Sequence, residues 1–506
     1  MVGKFLPTIF IENKIMNYQI YIENLGAVEK ADLKISPLTI LAGENGTGKS
    51  FVTKFLYSIF NVAISDLFYD KIYHQINITQ SSLSSFIQNE EFSSFEFEIQ
   101  YLAEIHNFLN EIDTQAMSLN IPFGLFTLED ITKLEEYVNT YKNEIQGILS
   151  NYKPPESSLI TESNEHPNSL SRYFKELALN HPSFRSELLA KNLSNLLSLI
   201  KDPQASYLKI FSEKLEDELK ENFQIPQLNL LINSSKEVAI FKIESFLKVS
   251  IFVNNSLNLD FDFENFLNIY NINRLVFFES PIYWKILTLI TNQTVSKKKF
   301  LSKRINTEIL TGIPKHFLDL KELLFTDFKD GERPNFIVEI ANDLQRHLKG
   351  KFHTSNNDLT FENDKGQTIP KSLVSFGMTN LGILQAVLSK NVINVGSFIF
   401  IDEPESNLHP AWQNILAETL VKLAENGVFV VITTHSTDML KAFDIITQEK
   451  QKANDTKIKY DFLSTYYFQN DGLLLDTSNS ELSPIEQARQ KLLEPYDNMM
   501  VRGYLL

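Results

Sequence analysis

The sequence predicts an α/β fold, in which a head built on a parallel sheet is interrupted by a mainly helical insertion. The first observation is the succession of SFIFID, WQNILAETLVKLAENG and VFVVITT within residues 396–435, which gives a strand, an amphipathic helix and a strand. Apolar runs this continuous suit parallel strands that are covered on both faces. The second is the scarcity of glycine, because only Gly124 and Gly147 lie between Lys49 and Thr311. So few glycines favour helix over that span.

These two observations place the head at residues 1–70 plus 271–480, the helical insertion at 71–270 and a C-terminal helical tail at 481–506. Several prolines divide the insertion into short helices, so a long coiled-coil arm is not expected. In the head, NYQIYIENLGAVEKADLKI predicts a hairpin and LTILA a buried strand. The segments RLVFFES, NFIVEI and DLTFEND predict further strands.

Composition is that of a soluble globular protein, with 43% hydrophobic and 22% charged residues. The chain has no cysteine, which excludes disulfides, thiolate zinc sites and a cysteine nucleophile. It also fits a reducing cytoplasm, where we expect the protein to be. The N-terminal apolar stretch is too short for a signal peptide, and no apolar run of about 18 residues occurs, so we expect no membrane segment.

The net charge of −16 opposes binding to a nucleic-acid backbone, so any such contact would have to be local. The best local candidate is KKKFLSKR, Lys297 to Arg304. This run is either a solvated face or a phosphate-contacting patch, and the sequence leaves both interpretations open. A basic partner protein, or none, is equally compatible with the charge.

The strongest motif has the pattern G-x-x-x-x-G-K-[ST] and lies between the strand LTILA and the helical SFVTKFLYSIF, which includes Phe51. Its residues are Gly43, Glu44, Asn45, Gly46, Thr47, Gly48, Lys49 and Ser50. The glycines let successive backbone N–H groups point at phosphates, and the helix N-terminus adds its positive end. Lys49 is expected to reach the β- and γ-phosphates, and Ser50 to bind Mg²⁺. The motif therefore predicts an ATP and Mg²⁺ site.

Two further strand ends carry candidate catalytic groups. In IFIDEPESNLHP, Asp402 ends an apolar strand, where a carboxylate is costly unless it meets a metal or a donor. We expect Asp402 to hold Mg²⁺ and the adjacent Glu403 to polarise the attacking water. Taken alone, His435 at the end of VVITTHS fits a core histidine better than a functional one. Its place one crossover helix after the Asp402 strand makes it a candidate γ-phosphate sensor.

Upstream, SLVSFGMTNLG contains Ser375 and Gly377 at the start of an apolar helix, which offers a hydroxyl and helix N–H groups to a phosphate. The order of phosphate loop, Ser-x-Gly helix start, Asp-Glu strand and His-ending strand resembles the ABC ATPase superfamily. The strings DEPESNLHP and TTHS resemble its SMC/RecF/OLD branch, which implies an ABC-type head. Phe376 and Met378 stand where the fuller signature LSGGQ has Gly and Gln, and no Q-loop glutamine is assigned.

The resemblance implies a homo-oligomer in which two heads sandwich two ATP molecules. Ser375 and Gly377 would then contact the γ-phosphate held by a partner subunit, and Asn407 would lie in the loop that crosses the interface. A single head with a short insertion is most similar to stand-alone antiphage-defence ATPases, first the AriA ATPases of PARIS systems and second the PtuA ATPases of Septu. That implies a nuclease effector encoded nearby and a phage-encoded trigger protein.

Two other functions compete with this one. A DNA-repair ATPase of the SMC/RecF type is disfavoured by the acidic balance and the missing coiled coil. A transporter subunit is disfavoured by the insertion and by DEPESNLHP. The residues after His435 are too few for a Toprim nuclease domain, so we expect any nuclease activity to reside in another chain. The insertion is the candidate region for recognising a partner or trigger. Its aromatic segments, such as FSSFEFEIQYL, could be core or interface, and core is the better interpretation.

Overall fold

A computed structural model describes residues 18–65, 67–87, 202–244, 246–262, 272–279, 282–285, 312–326, 333–355, 358–452, 461–478 and 480–504, with separate positions between 188 and 199. The basic run Lys297 to Arg304 and the aromatic segment FSSFEFEIQYL lie outside the described residues. Residues 88–187, which belong to the predicted insertion, lie outside the described residues as well. What the sequence predicts for them therefore stays a prediction.

The strands, in chain order, are β1 (Tyr18–Leu25), β2 (Val28–Ile35), β3 (Leu38–Gly43), β4 (Val238–Ile243), β5 (Leu247–Phe252), β6 (Leu257–Phe261), β7 (Leu275–Phe278), β8 (Gly350–Ser355), β9 (Asp358–Asn363), β10 (Thr368–Pro370), β11 (Phe398–Asp402), β12 (Phe429–Thr434) and β13 (Leu463–Phe468). The helices are α1 (Lys49–Ala63), α2 (Leu67–Ile87), α3 (Pro203–Phe223), α4 (Ile282–Lys285), α5 (Lys315–Phe325), α6 (Asn335–Leu348), α7 (Phe376–Ser389), α8 (Pro410–Glu425), α9 (Thr437–Lys452) and α10 (Pro484–Tyr504). Two 3₁₀ turns, Leu228–Leu231 and Lys371–Leu373, complete the elements described.

The central sheet confirms the α/β prediction. Its strands run in the order β13-β3-β12-β11-β7, and every pair in it is parallel. All six residues of β3 are buried, as are the first four of β11, which explains their continuous apolar sequences. The parallel arrangement brings the carboxyl ends of these strands to one edge, where the loops that follow them meet.

A second sheet is antiparallel, with the order β2-β1-β4-β5-β6. The predicted hairpin is confirmed as β1 and β2. Strands β4 to β6, however, lie within residues 71–270, which the sequence analysis placed in a mainly helical insertion, so the helical prediction is wrong for this stretch. In β4 buried residues alternate with exposed or half-buried ones, a period-two pattern that the scarcity of glycine could not reveal.

A third, smaller sheet has the order β10-β9-β8 and includes the predicted strand DLTFEND. The predicted strand NFIVEI is wrong, because it opens helix α6. The buried residues of α6 recur at intervals of three and four: Ile337, Ile340, Ala341, Leu344 and Leu348. A six-residue window was too short to distinguish this stripe from strand alternation.

The chain separates into two compact units, one formed by Met1–Ile64 with Lys214–Leu506 and the other by Ser65–Glu213. The first contains the three sheets, and the predicted C-terminal tail helix α10 packs within it against β13 and α9. In the second, Gln75 Nε2 donates to the carbonyl of Asn192 at 3.0 Å. Within the described ranges, no helix has the length and apolar character needed to cross a bilayer.

Candidate nucleotide site

The phosphate loop connects β3 to α1 and is shaped by glycines. Gly46 and Gly48 have φ values of 84° and 95°, in the left-handed region that favours glycine. A Cβ added to Gly48 would lie 2.6 Å from Val28 Cγ2. The loop therefore has the sharply curved backbone that places successive N–H groups around a phosphate, and α1 begins at Lys49, directly after Gly48.

Lys49 lies inside this curve, with only 4% of its surface exposed. Its Nζ donates to the carbonyls of Gly43 at 2.9 Å and Glu44 at 2.6 Å. Burial lowers the pKa of Lys49, while the carboxylates of Glu403 and Asp402 oppose that change. The ammonium is thus within electrostatic range of both candidate catalytic carboxylates.

Ser50 and Asp402 meet at the start of α1 and the end of β11. Ser50 Oγ donates to Asp402 Oδ1 at 2.8 Å. The hydroxyl of Thr433 donates to the same Oδ1, because β11 and β12 pair in parallel with Asp402 opposite Thr433. A carboxylate and a hydroxyl side by side are oxygen ligands of the kind Mg²⁺ prefers, so the predicted metal residues fit that ion.

Glu403 occupies a backbone conformation that is unusual for a residue other than glycine, with φ at +50°. Its N–H donates to both the carbonyl and the hydroxyl of Thr433, each at 3.1 Å. This conformation turns Glu403 away from the direction of β11, and its half-exposed carboxylate lies 3.5 Å from Nδ1 of His435. Strained backbone of this kind clusters at functional sites.

His435 is held by Glu405, a residue that the sequence analysis did not select. Oε1 of Glu405 accepts from the backbone N–H of His435 at 2.9 Å and from Thr434 Oγ1 at 2.8 Å. It also lies 3.5 Å from His435 Nδ1. Glu405 is 7% exposed, so its carboxylate fixes the turn after β12 from inside the protein.

Ser375, Gly377 and Asn407 form a second cluster. Ser375 is the N-cap of α7 and accepts from the N–H of Met378 at 3.2 Å. A Cβ added to Gly377 would lie 2.7 Å from the carbonyl oxygen of Asn407, so the helix start and the loop are in close contact. Phe51, which follows Ser50 in α1, was also predicted to bind the nucleotide. Its ring packs on the ring of Phe223, with centroids 5.0 Å apart.

Sequence reasoning missed Thr433, Glu405 and Glu279. Glu405 stands inside the quoted DEPESNLHP string, and a buried acidic residue so close to two others was a usable signal. Thr433 could not be selected, because only the strand register brings it opposite Asp402. Glu279 follows β7 and lines a cavity together with Asp402, although 123 positions separate the two in sequence.

The sequence of this chain matches a known protein family. A sequence model of the family described as "AAA domain, putative AbiEii toxin, Type IV TA system" matches residues 38–440, which is more than half of the 506-residue chain. The chain belongs to this AAA family. The matched range includes the phosphate loop, Asp402, Glu403 and His435.

Two curated relatives match shorter stretches. The Old nuclease of Escherichia phage P2 is 34% identical over 92 residues, which is 16% of this chain and 16% of that protein. An ATP/GTP phosphatase of Helicobacter pylori is 26% identical over 152 residues, 26% of this chain and 40% of that protein. The matches thus span less than half the length of either relative. At the level of the ATPase domain they agree with the resemblance to the OLD branch.

Among solved structures, the chain is similar to an SMC head bound to the C-terminal winged-helix domain of ScpA. The TM-score is 0.36 at 10% identity, and the alignment covers 91% of this chain and 98% of that one.

Proposed function

We propose that this AAA-family protein binds ATP with Mg²⁺ and hydrolyses it. The observation that carries the proposal is the hydrogen bond between Ser50 and Asp402, 352 positions apart in sequence. It joins the phosphate loop to the acidic strand end in the arrangement that a Mg²⁺-bound nucleotide requires. The glycine-lined curve at Gly46 and Gly48 provides the place for the phosphates.

Each residue then has a defined task. Lys49 exchanges its backbone carbonyl partners for the β- and γ-phosphates, which its buried ammonium is positioned to reach. Ser50 and Asp402 would hold Mg²⁺, which would neutralise phosphate charge. Glu403 accepts the proton of the attacking water, and His435, oriented by Glu405, contacts the γ-phosphate.

We also propose that each ATP site is completed by residues from two heads, as the resemblance to ABC ATPases implies. Ser375, Gly377 and Asn407 lie together at the start of α7 and in the loop after β11, apart in sequence from the phosphate loop. We propose that they act on nucleotide held by a second copy of the chain, in a head dimer. Leu373, 77% exposed beside this cluster, would be covered in such a dimer.

For the biological role, we propose an ATPase of a bacterial antiphage defence system that controls a separately encoded nuclease. Supporting this are the partial match to the phage P2 Old nuclease and the toxin–antitoxin description of the family. The alternative, a DNA-repair ATPase of the SMC/RecF type, would require binding to DNA by an acidic protein. An assay for nuclease activity of the purified chain alone tests the first proposal, and cleavage by the wild type that persists in an Asp402 variant would contradict it.

The test of the ATPase proposal uses Lys49→Ala. Loss of the ammonium is expected to weaken nucleotide binding and to reduce hydrolysis to background, because no other cation replaces it inside the loop. Binding of a fluorescent ATP analogue and release of phosphate are the two measurements. Lys422→Ala, which removes an exposed lysine that pairs with Asp343 at 3.3 Å, is the matched control and should behave as the wild type. Wild-type hydrolysis by Lys49→Ala would refute the assignment.

A further inference from the structure

A series of polar contacts begins at Glu279, the residue that follows β7. Because Phe278 pairs with Ile401 in the parallel register, Glu279 and Asp402 leave the sheet at the same edge. Lys54 Nζ donates to Glu279 Oε1 at 2.6 Å, and His316 Nε2 lies 2.9 Å from Oε2. Lys54 belongs to α1, the helix that opens at the phosphate loop. Glu279 therefore attaches that helix to the edge of the sheet.

His316 continues the series to α3. Asn222 Oδ1 accepts from the backbone N–H of His316 at 2.8 Å. The amide nitrogen of Asn222 donates to Ser58 Oγ at 2.9 Å and to Glu218 Oε1 at 3.1 Å. These contacts join the end of α1, the end of α3 and the start of α5.

Glu218 closes the cluster and is almost completely buried, at 1% exposure. It accepts from Asn61 Nδ2 at 2.8 Å and pairs with Lys315 Nζ at 3.0 Å. Burial raises the pKa of Glu218, and the charge of Lys315 opposes that rise. A buried carboxylate held in this way is sensitive to the loss of any one partner.

The electrostatics of Glu279 favour a permanent charge. Burial would raise the pKa of its carboxyl, but the hydrogen bond of His316 and the charge of Lys54 outweigh burial and lower the pKa to about 2. Glu279 is therefore a carboxylate at neutral pH. Its two partners fix it in position beside Asp402.

The polar cluster around Glu218 and Asn222 lies where α1 leaves the head and α3 returns to it. Residues Ser65–Glu213 form a compact unit of their own, and the chain enters that unit after α1 and returns along α3. Ser58 and Asn61 lie near the end of α1, and Glu218 and Asn222 lie on the part of α3 that belongs to the head. Helices α1 and α3, which lead into and out of residues 65–213, thus both contact one polar cluster. His316 links this cluster to Glu279.

We propose that Glu279 is a positioning residue that couples occupancy of the nucleotide site to the two helices leading to residues 65–213. The proposal rests on nucleotide binding by the head. Bound phosphates would place negative charge at the N-terminus of α1, five positions before Lys54. Asp402, which would hold Mg²⁺, ends β11 at the same sheet edge as Glu279. The contact between Lys54 and Glu279 would respond to these charges, and His316 and Asn222 would carry the change to α3.

Hydrogen exchange on the full chain tests this coupling, with and without Mg²⁺ and a non-hydrolysable ATP analogue. In the wild type we expect slower exchange at residues 43–50 and a change in exchange at residues 214–223. Glu279→Gln should still show protection of 43–50 at a saturating concentration of the analogue but lose the response at 214–223. Lys54→Arg, which keeps a cation opposite Glu279, should retain that response. Lys236→Ala removes an exposed lysine–glutamate pair with Glu29 and is the matched control.

Asn222→Ala removes the hydrogen bonds of the Asn222 side chain to His316, Ser58 and Glu218. This variant tests the coupling if Glu279→Gln fails to fold. The coupling is refuted if 214–223 does not respond in the wild type while 43–50 is protected. It is also refuted if a folded Glu279→Gln or Asn222→Ala responds as the wild type does. If the wild type shows no protection at 43–50 and no hydrolysis, nucleotide binding itself is contradicted and the coupling fails with it.

Discussion

At the scale of single residues, the left-handed backbone of Glu403 directs its carboxylate out of β11 toward His435. Glutamine has the same size and keeps the backbone conformation but cannot accept the proton of water. We therefore expect Glu403→Gln to keep ATP affinity while hydrolysis falls by about 10²-fold or more. ATP binding and single-turnover hydrolysis measure the two effects separately.

The control for this substitution is Glu418→Gln, which changes an exposed glutamate of α8. It should leave both quantities unchanged. Hydrolysis by Glu403→Gln at the wild-type rate would show that another group accepts the proton.

Glu405 is the residue whose role depends most on its hydrogen bonds. Glu405→Gln retains a carbonyl oxygen that can accept from Thr434 and from the N–H of His435, whereas Glu405→Ala leaves both donors without it. We expect the alanine variant to lose about 1–3 kcal/mol of stability and most of its kcat, with KM little changed. The glutamine variant should lie close to the wild type. Urea unfolding and steady-state kinetics measure these effects, and equal behaviour of the two variants would contradict the role assigned to Glu405.

At the scale of elements, helix α7 approaches strand β8 through Gly382. A Cβ at this position would overlap two ring atoms of the buried Phe352. Gly→Ala in a helix interior normally stabilises by up to about 1 kcal/mol, so this contact reverses the usual sign. We expect Gly382→Ala to destabilise the protein by about 1–3 kcal/mol.

A double-mutant cycle provides the control. Phe352→Ala removes the ring, and the double variant should be more stable than the sum of the two single losses predicts. Additive losses in urea unfolding would show that α7 and β8 do not contact each other at Gly382.

At the scale of the whole molecule, a head dimer predicts that a nucleotide site is completed by two chains. Lys49→Ala destroys the phosphate loop of a chain, and Ser375→Arg blocks its contribution to a partner. Each variant alone should be inactive. In an equimolar mixture, half of the dimers are mixed and each of these has one intact composite site, so about a quarter of the wild-type activity should return.

Phosphate release after mixing and subunit exchange measures this recovery. A mixture no more active than its separate components would mean that each chain completes its own site. Mixing Lys49→Ala with an equal amount of Glu403→Gln is the matched control. Both of these changes affect nucleotide held by the same chain, so no intact composite site can form and activity should not return.

The phosphate loop, the carboxylates Asp402 and Glu403, and the Ser375 helix start were predicted from sequence because each is a short contiguous segment whose local conformation fixes its geometry. The parallel strands were predicted for a related reason, since burial on both faces demands an uninterrupted apolar run. NFIVEI was assigned wrongly because six residues sample less than two turns of a helix, and the buried stripe of α6 appears only over its full length.

By itself, then, the sequence determined the phosphate loop, the acidic strand end and the α/β class. Tertiary structure decided the rest. It added β4 to β6 to the sheet that contains β1, placed Thr433 opposite Asp402, and brought Lys54 to Glu279 across 225 positions. Register and burial depend on contacts between distant segments, and these contacts form only when the sheets and helices pack together.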